Sequence, residues 1–357
     1  MDSPRGAPAI VQALAAPSAA IDDPRPPGGA PTAKPTSQAQ VSAAYSAGRR
    51  RALCVGIDRY PRQPLAGCVA DARAWARSLQ GLGFASPTLL VDEAATRQGI
   101  VDAVRALKAG SRPGDVLAFQ YSGHGTLLPD LDGDESAGST PGQDQAIVPF
   151  DFDTGAFLID DDIYELLTAL PDGVNLTCFF DCCHSGTLSR FAVGGGPMSR
   201  GGDDRRARFL AADGDMIEAH RRFRARGPAR GQAVSRPAEL MQWVVFSACL
   251  DREVAYETGG HGEFTVRATQ MLARGIDGLT HLEFQRKVTE AFGATPAQHP
   301  NLDCAPAAGT CALLQPLIGA PPAPARGVAG SRNGDLSGVA RDLHAVAEAL
   351  LARSQKP

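Results

Sequence analysis

Two short motifs carry residue types able to do nucleophilic chemistry: Tyr121-Ser-Gly-His124-Gly and Asp181-Cys-Cys183-His-Ser-Gly. A histidine brought to a cysteine is the minimum for thiol catalysis. The imidazole assists formation of the thiolate and later protonates a leaving amine. The glycines of the two motifs let a substrate backbone approach closely and can leave N–H groups free for an oxyanion. Side chains alternate along a strand, so Phe179, Asp181 and Cys183 share one face while Cys178, Phe180 and Cys182 share the other. The face with an ionised aspartate must open to solvent or to a polar pocket. Cys183 is therefore expected to be the accessible thiol and Cys182 a core residue, with Ser122 on the side of His124. The residues alone leave open a structural histidine at a strand end. They do not support structural zinc at Cys178, Cys182, Cys183 and His184, because consecutive side chains cannot all turn toward one ion. A bridge between Cys182 and Cys183 would be strained.

Each motif closes an apolar run that reads as a buried strand. Such runs cover 51–57, 87–91, 115–121, 175–182 and 243–248, with a shorter one near 146–149. Helical spacing covers 69–82, 96–109 with Thr96 as cap, 160–170 with an acidic first turn, 262–274 and 279–292, the last opened by a Thr280/Glu283 capping box. Strands alternating with helices predict an α/β fold with a mainly parallel central sheet and helices on both faces. In such a sheet, polar residues just past the carboxyl ends of two strands can meet.

Around this folded body, over 50–318, composition changes. Residues 1–49 hold eight prolines and read as a disordered arm. Residues 193–239 are Gly-rich with ten arginines against six acids and read as an exposed inserted loop. Residues 319–357 read as a Pro/Gly-rich linker and a terminal helix over 339–353.

The chain has 357 residues, with Lys+Arg 35 against Asp+Glu 39 and a formal charge of −4, which excludes the strongly basic field of a dedicated nucleic-acid binder. No apolar run approaches the roughly 20 residues of a membrane helix, and the stretch 9–16 is too short and Pro-flanked for a signal peptide. The expectation is a cytoplasmic protein with neither nucleic-acid nor membrane partners. Eight cysteines are too sparse for a disulfide scaffold and read mostly as buried reduced thiols.

Together the motifs resemble the metacaspases, caspase-like cysteine peptidases of peptidase family C14 in clan CD. Smaller matches run along the folded body: Val55-Gly-Ile-Asp, Gly67-Cys-Val-Ala-Asp71-Ala, Asp144-x-Ala-Ile-Val-Pro-x-Asp151, Leu158-Ile-Asp-Asp161, Phe246-Ser-Ala-Cys and Gly262-Glu-Phe-Thr265. The resemblance implies a caspase-like fold, His124 and Cys183 as catalytic dyad, action as a monomer, and cleavage after Arg or Lys. The pocket for that residue (P1) would be built from Asp71, Ser122 and Asp181. The chemistry agrees, since two carboxylates bind a guanidinium with charge-assisted bonds and repel an acidic P1 residue. The amides of Gly125 and Cys183 are the expected oxyanion donors. No cofactor is required for the chemistry.

The resemblance also implies Ca²⁺ as an activator, on Asp144, Asp160 and Asp161. Arg190 stands where a fourth acidic residue is expected, and Asp130-Leu-Asp-Gly-Asp-Glu135 lacks the spacing of an EF-hand loop. The resulting expectation is a cysteine endopeptidase acting on proteins or peptides with P1 Arg or Lys, processing itself at an arginine of the 193–239 stretch. The alternative is a catalytically idle caspase-like scaffold.

Overall fold

The computed structural model describes residues 48–131, 142–183, 205–227, 241–251 and 253–317, all within one compact unit, Met1–Ala323. Most of the expected N-terminal arm, the linker and helix expected over 319–357, and parts of the Arg-rich stretch lie outside them. The arm ends sooner than expected: the Arg49 amide and guanidinium both bind Asp115, so the fold begins by residue 49.

The elements run β1 (Arg50–Gly56), α1 (Cys68–Gly81), β2 (Ala85–Val91), α2 (Arg97–Lys108), β3 (Val116–Ser122), β4 (Gly125–Pro129), β5 (Gln143–Ile147), β6 (Leu158–Ile159), α3 (Asp160–Leu167) and β7 (Asn175–Asp181). They continue with β8 (Arg206–Ala207), α4 (Gly214–Arg226), β9 (Val244–Ser247), β10 (Tyr256–Thr258), β11 (His261–Gly262), α5 (Glu263–Ala273), α6 (His281–Glu290), β12 (Asn301–Asp303) and α7 (Pro306–Gly309). The main sheet has the order β12-β9-β7-β3-β1-β2. All neighbours are parallel except β12, which runs antiparallel to β9 at the edge. Two small antiparallel sheets, β4-β5-β6 and β11-β10-β8, flank its carboxyl edge.

Alternation sorts the central strands onto two cores. Leu53 and Val55, Leu117 and Phe119, and Cys178, Phe180 and Cys182 face a cluster closed by Ile100, Val101, Val104 and Leu107 of α2. Ala52 and Cys54, Val116 and Ala118, and Phe179 and Cys183 face the opposite cluster, closed by Trp75 and Leu79 of α1, Phe264 and Leu272 of α5, and Phe284 of α6. Helices therefore cover both faces of a parallel sheet, which buries every central strand on both sides. Thr96 caps α2 through a bond from the Gly99 amide, and Thr280 with Glu283 forms the capping box of α6. No helix of the described residues is long and apolar enough to cross a membrane.

The Arg-rich stretch departs from expectation. Its described part, 205–227, is not a solvated loop: it forms β8 and α4, and Arg208, Phe209, Leu210, Met216 and His220 are buried. The expectation rested on charge, and several charges of this segment pair with partners distant in sequence. Asp213 caps α4 and pairs with Arg62, and Arg224 pairs with Asp162.

Phe179 lies at the centre of the second core, 4.3 Å from the Trp75 ring, stacked at 5.2 Å on Phe246 and edge-on to Phe284 at 6.2 Å. Phe179→Ala is expected to cost about 3–5 kcal/mol of stability, measured by denaturant unfolding.

Candidate active site

The parallel register of β3 and β7 pairs Tyr121 with Phe180 and Ser122 with Asp181. His124 and Cys183 each lie two residues past those ends, at the carboxyl edge of adjacent strands. Gly125 makes the approach possible, because a Cβ there would come within 1.9 Å of the Cys183 carbonyl oxygen.

Two tyrosines fix the His124 backbone. The Tyr60 hydroxyl accepts from the His124 amide at 3.1 Å, and the Tyr121 hydroxyl donates to the His124 carbonyl at 2.8 Å. The His124 Nε2 lies 2.7 Å from the Gln63 carbonyl oxygen. A carbonyl only accepts, so Nε2 carries the proton and Nδ1 offers its lone pair. Gln63 holds this position with φ +50°, in the left-handed region that non-glycine residues rarely enter. Among the described residues, Nδ1 is buried without a hydrogen-bond partner. Burial lowers the His124 pKa to about 4; the Gln63 carbonyl works against that shift and the Arg208 charge adds to it. The imidazole is thus neutral at pH 7, as a base must be.

Cys183 is fully buried, which corrects the expectation of an accessible thiol. Its Sγ donates to the Glu253 carbonyl at 3.4 Å, and Cys249 donates to the same oxygen at 3.5 Å. The hydrogen bond to Cys183, followed by burial, pushes the Cys249 pKa up. The cause of the burial lies in the chain itself: residues 205–210 run across the motif ends. β8 pairs antiparallel with β10, and the Arg208 amide donates to the Ala255 carbonyl at 2.9 Å. The Arg208 carbonyl accepts from the amides of Gly125 at 3.1 Å and Cys183 at 3.3 Å, the two donors expected to hold an oxyanion. The Leu210 amide returns to the Gly125 carbonyl at 2.9 Å.

The Arg208 side chain, with no exposed surface, enters a pocket of carboxylates. Nη1 lies 3.1 Å from Asp181 Oδ2, and Nη2 lies 2.5 Å from Asp71 Oδ2 and 3.4 Å from Glu257 Oε2. Burial opposes the charge on Arg208, but Asp181, Cys68, Asp71 and Glu257 overcome it and raise its pKa. Burial likewise raises the Asp71 pKa, against the pull of Arg208. The acids are held in turn. Asp71 accepts from the Gly262 amide and from His261, while Asp181 accepts from the Thr265 amide and hydroxyl. The Trp75 indole donates to that same hydroxyl.

Asp71 and Asp181 therefore converge on one guanidinium. Ser122 is buried, with its hydroxyl engaged by the Gln120 amide group at 2.7 Å. Sequence reasoning missed Glu257, Gln63 and the special standing of Arg208. Glu257 is a lone acid in a turn-rich stretch, Gln63 contributes a carbonyl that any residue carries, and Arg208 is one of ten arginines.

Asp144 and Asp161 are buried, whereas Asp160 is exposed. Oxygen-only donors suit a hard cation. However, these three are not among the side chains whose ligand atoms gather within 4.8 Å of one another; the described residues hold one such group, Asp58, Cys68 and Glu257. In that gathered group, Asp58 and Glu257 accept the backbone amides at the start of α1. Arg190 lies outside the described residues.

Two outcomes follow from this geometry. A Cβ on Gly262 would come within 2.2 Å of Asp181 Oδ2 and 2.5 Å of Arg208 Nη1. Gly262→Ala should therefore crowd the pocket and cost about 1–3 kcal/mol of stability, measured by denaturant unfolding. His124 takes up a proton near pH 6.5 when unfolded and near 4 when folded. The unfolded state then binds more protons between those values, so stability falls as pH drops from 6.5 toward 4, by about 3 kcal/mol from this group. Thermal unfolding across that range should show the loss, with a shallower slope for His124→Gln.

Comparison with known proteins agrees with the arrangement. The sequence profile described as metacaspase, peptidase C14 domain, matches residues 50–191. Metacaspase-1 of Cryptococcus neoformans is 40% identical over 151 residues, 39% of this chain and 32% of that protein. Metacaspase-5 of Trypanosoma cruzi is 40% identical over 157 residues, 40% of this chain and 34% of that protein. The chain thus spans about a third of the length of the first curated relatives it matches. Metacaspase-1 of Schizosaccharomyces pombe is 30% identical over 294 residues, covering 72% of this chain and 67% of that protein. A crystal structure of a Geobacter sulfurreducens protein shares the fold, with a TM-score of 0.58 at 24% identity over 75% of this chain and 99% of that one. The extent of the Schizosaccharomyces pombe match, together with the profile over the strands that carry His124 and Cys183, makes this chain a member of the metacaspase family.

Proposed function

We propose that the chain is a cysteine endopeptidase that cuts after arginine, and more slowly after lysine. The observation that carries this reading is Arg208, whose guanidinium meets three acids while its carbonyl accepts from the Gly125 and Cys183 amides. A substrate arginine bound in the same way would present its carbonyl carbon to the Cys183 thiol.

In that pose His124 Nδ1 takes the thiol proton and Cys183 Sγ bonds to the carbonyl carbon. The two amides bear the developing oxyanion, a role such donors fill at a cost of about 10²–10³ in rate when one is removed. Collapse expels the amine, which leaves with the proton from Nδ1, and water then hydrolyses the thioester with His124 as base. The Gln63 carbonyl keeps Nε2 protonated and supports the imidazolium that forms between these steps. Action as a monomer belongs to the same reading. Calcium enters the reading only as an activator, through Asp144, Asp160 and Asp161.

Selectivity follows from charge and shape. Arginine uses two nitrogens against separate carboxylates, whereas a lysine ammonium is a single point charge. An aspartate at P1 would face three acids. Profiling with a P1-varied peptide library should give arginine about tenfold over lysine and no turnover of aspartate. Asp181→Asn should lower kcat/KM for arginyl peptides by about 100-fold, because one partner of a buried ion pair is lost. Equal turnover of aspartyl peptides would overturn the pocket assignment. No turnover by pure protein, with Ca²⁺ or with a chelator, would turn the reading to an interaction module.

A further inference from the structure

We infer that the cleft holds a second cation site, built by Glu263 and Tyr256, that selects an arginine three residues before P1 in the substrate (P4). The inference rests on the peptidase reading above and names the class of substrate: extended chains with two arginines spaced i and i+3, the second at P1.

Residues 205–208 supply the register in which an extended chain lies in the cleft. With the Arg208 guanidinium in the P1 pocket, Ala207, Arg206 and Arg205 stand at P2, P3 and P4. The Arg208 amide donates to the Ala255 carbonyl at 2.9 Å, and β8 pairs antiparallel with β10, Ala207 opposite Tyr256 and Arg206 opposite Glu257. A peptide that adds a strand to β10 gains main-chain bonds whatever its sequence, so selection falls to the side chains that meet partners. Arg206, at P3, is exposed. Ala207, at P2, packs against the second core cluster. Arg205, at P4, meets both a carboxylate and an aromatic face.

Arg205 Nη2 lies 2.9 Å from Glu263 Oε1, and its guanidinium carbon lies 4.1 Å from the centre of the Tyr256 ring. The Arg205 and Glu263 side chains are 30% and 15% exposed, so this pair is screened less than one at the open surface. A planar guanidinium can lie on the ring and bond the carboxylate at once, which the point charge of a lysine does less well. An acidic P4 residue would face the Glu263 carboxylate.

Both groups are held by the main body of the fold and not only by the residue between them. The Thr258 hydroxyl donates to Glu263 Oε1 at 3.0 Å, and the Tyr256 amide donates to Gln298 Oε1 at 3.1 Å. Gln298 is buried, and its amide group donates in turn to the Ala248 carbonyl at 2.9 Å. Arg267 Nη1 lies 3.8 Å from Glu263 Oε2, which leaves Oε1 facing Arg205. Glu263 is also the first residue of α5, where an acid suits the positive end of the helix. That role alone requires neither an aromatic ring beside the carboxylate nor a place along the path of β8.

The test uses the full chain and acetylated tetrapeptide coumarin amides with arginine at P1, alanine at P2 and P3, and arginine, lysine, alanine or glutamate at P4. Wild type should turn over the P4-arginine peptide with a kcat/KM about tenfold above the P4-alanine peptide, with lysine between them and glutamate lowest. Glu263→Gln should bring the arginine-to-alanine ratio below about threefold. Tyr256→Leu should bring P4 arginine level with P4 lysine. Glu263→Arg should invert the order, so that the P4-glutamate peptide exceeds the P4-arginine peptide, a gain that misfolding cannot give. The wild-type ratio decides by itself should a variant fail to fold. Equal turnover of the P4-arginine and P4-alanine peptides by wild type, or an arginine preference that persists in both Glu263 variants, would overturn the inference and leave the peptidase reading standing. No turnover of any of the four peptides would overturn the peptidase reading, and this inference with it.

Discussion

One guanidinium shut away from water among three carboxylates organises the functional end of this molecule. Arg208, Asp71, Asp181 and Glu257 come from four separate parts of the chain, and none is more than slightly exposed. Buried ions of this kind contribute little net stability, but separating them leaves uncompensated charge and costs several kcal/mol. The pocket is therefore stable in the presence of a matching cation and strained without one. The proposed preference for a basic side chain over an acidic one rests on that imbalance. The acids cannot relax apart, because Asp71 is tied to the β11 backbone and Asp181 to the first turn of α5. Rigidity of the cage follows from helices and strands of the main body rather than from loops, which is how a site keeps its geometry.

The placement of His124 and Cys183 depends on a different constraint, the register between β3 and β7. Parallel pairing with Ser122 opposite Asp181 brings the two motif ends out of the sheet at the same level. A slip of one residue would turn Asp181 and Cys183 to the opposite face, exchanging the pocket acid with Cys182. The two cores, each drawing alternate residues of the same strands, prevent that slip. Packing far from the cleft thus decides which of the two cysteines shares a face with Asp181.

The fold was legible because its signals are local. Apolar runs, helical spacing and caps at Thr96 and Thr280 lie within single elements, and the structure has them with ends shifted by a few residues. The assignment of Cys182 and Cys183 to opposite faces was also local, since it needs only the period of a strand. What the sequence hid was non-local. Arg208 looked like its nine neighbours in a charged stretch, and composition pointed to solvent. It is buried because three acids scattered from residue 71 to residue 257 receive it, a match invisible until the chain is folded. Glu257 was missed for the same reason. Exposure of Cys183 was misjudged because strand alternation describes the sheet and not what a later segment lays over it. The calcium ligands remain a family-based expectation, since their geometry depends on how carboxylates gather and not on where they stand in sequence.

The imidazole owes its orientation to a peptide carbonyl, that of Gln63, and not to an acidic side chain. A peptide oxygen is present whatever residue occupies the position, so the third member of the array cannot be deleted by exchanging a side chain. What is vulnerable is the torsion that aims it, φ +50°. Residues that tolerate that turn, such as glycine or asparagine, would preserve the array, whereas β-branched residues would twist it away. An alanine scan would pass over this position as silent, and a backbone-directed substitution would expose it.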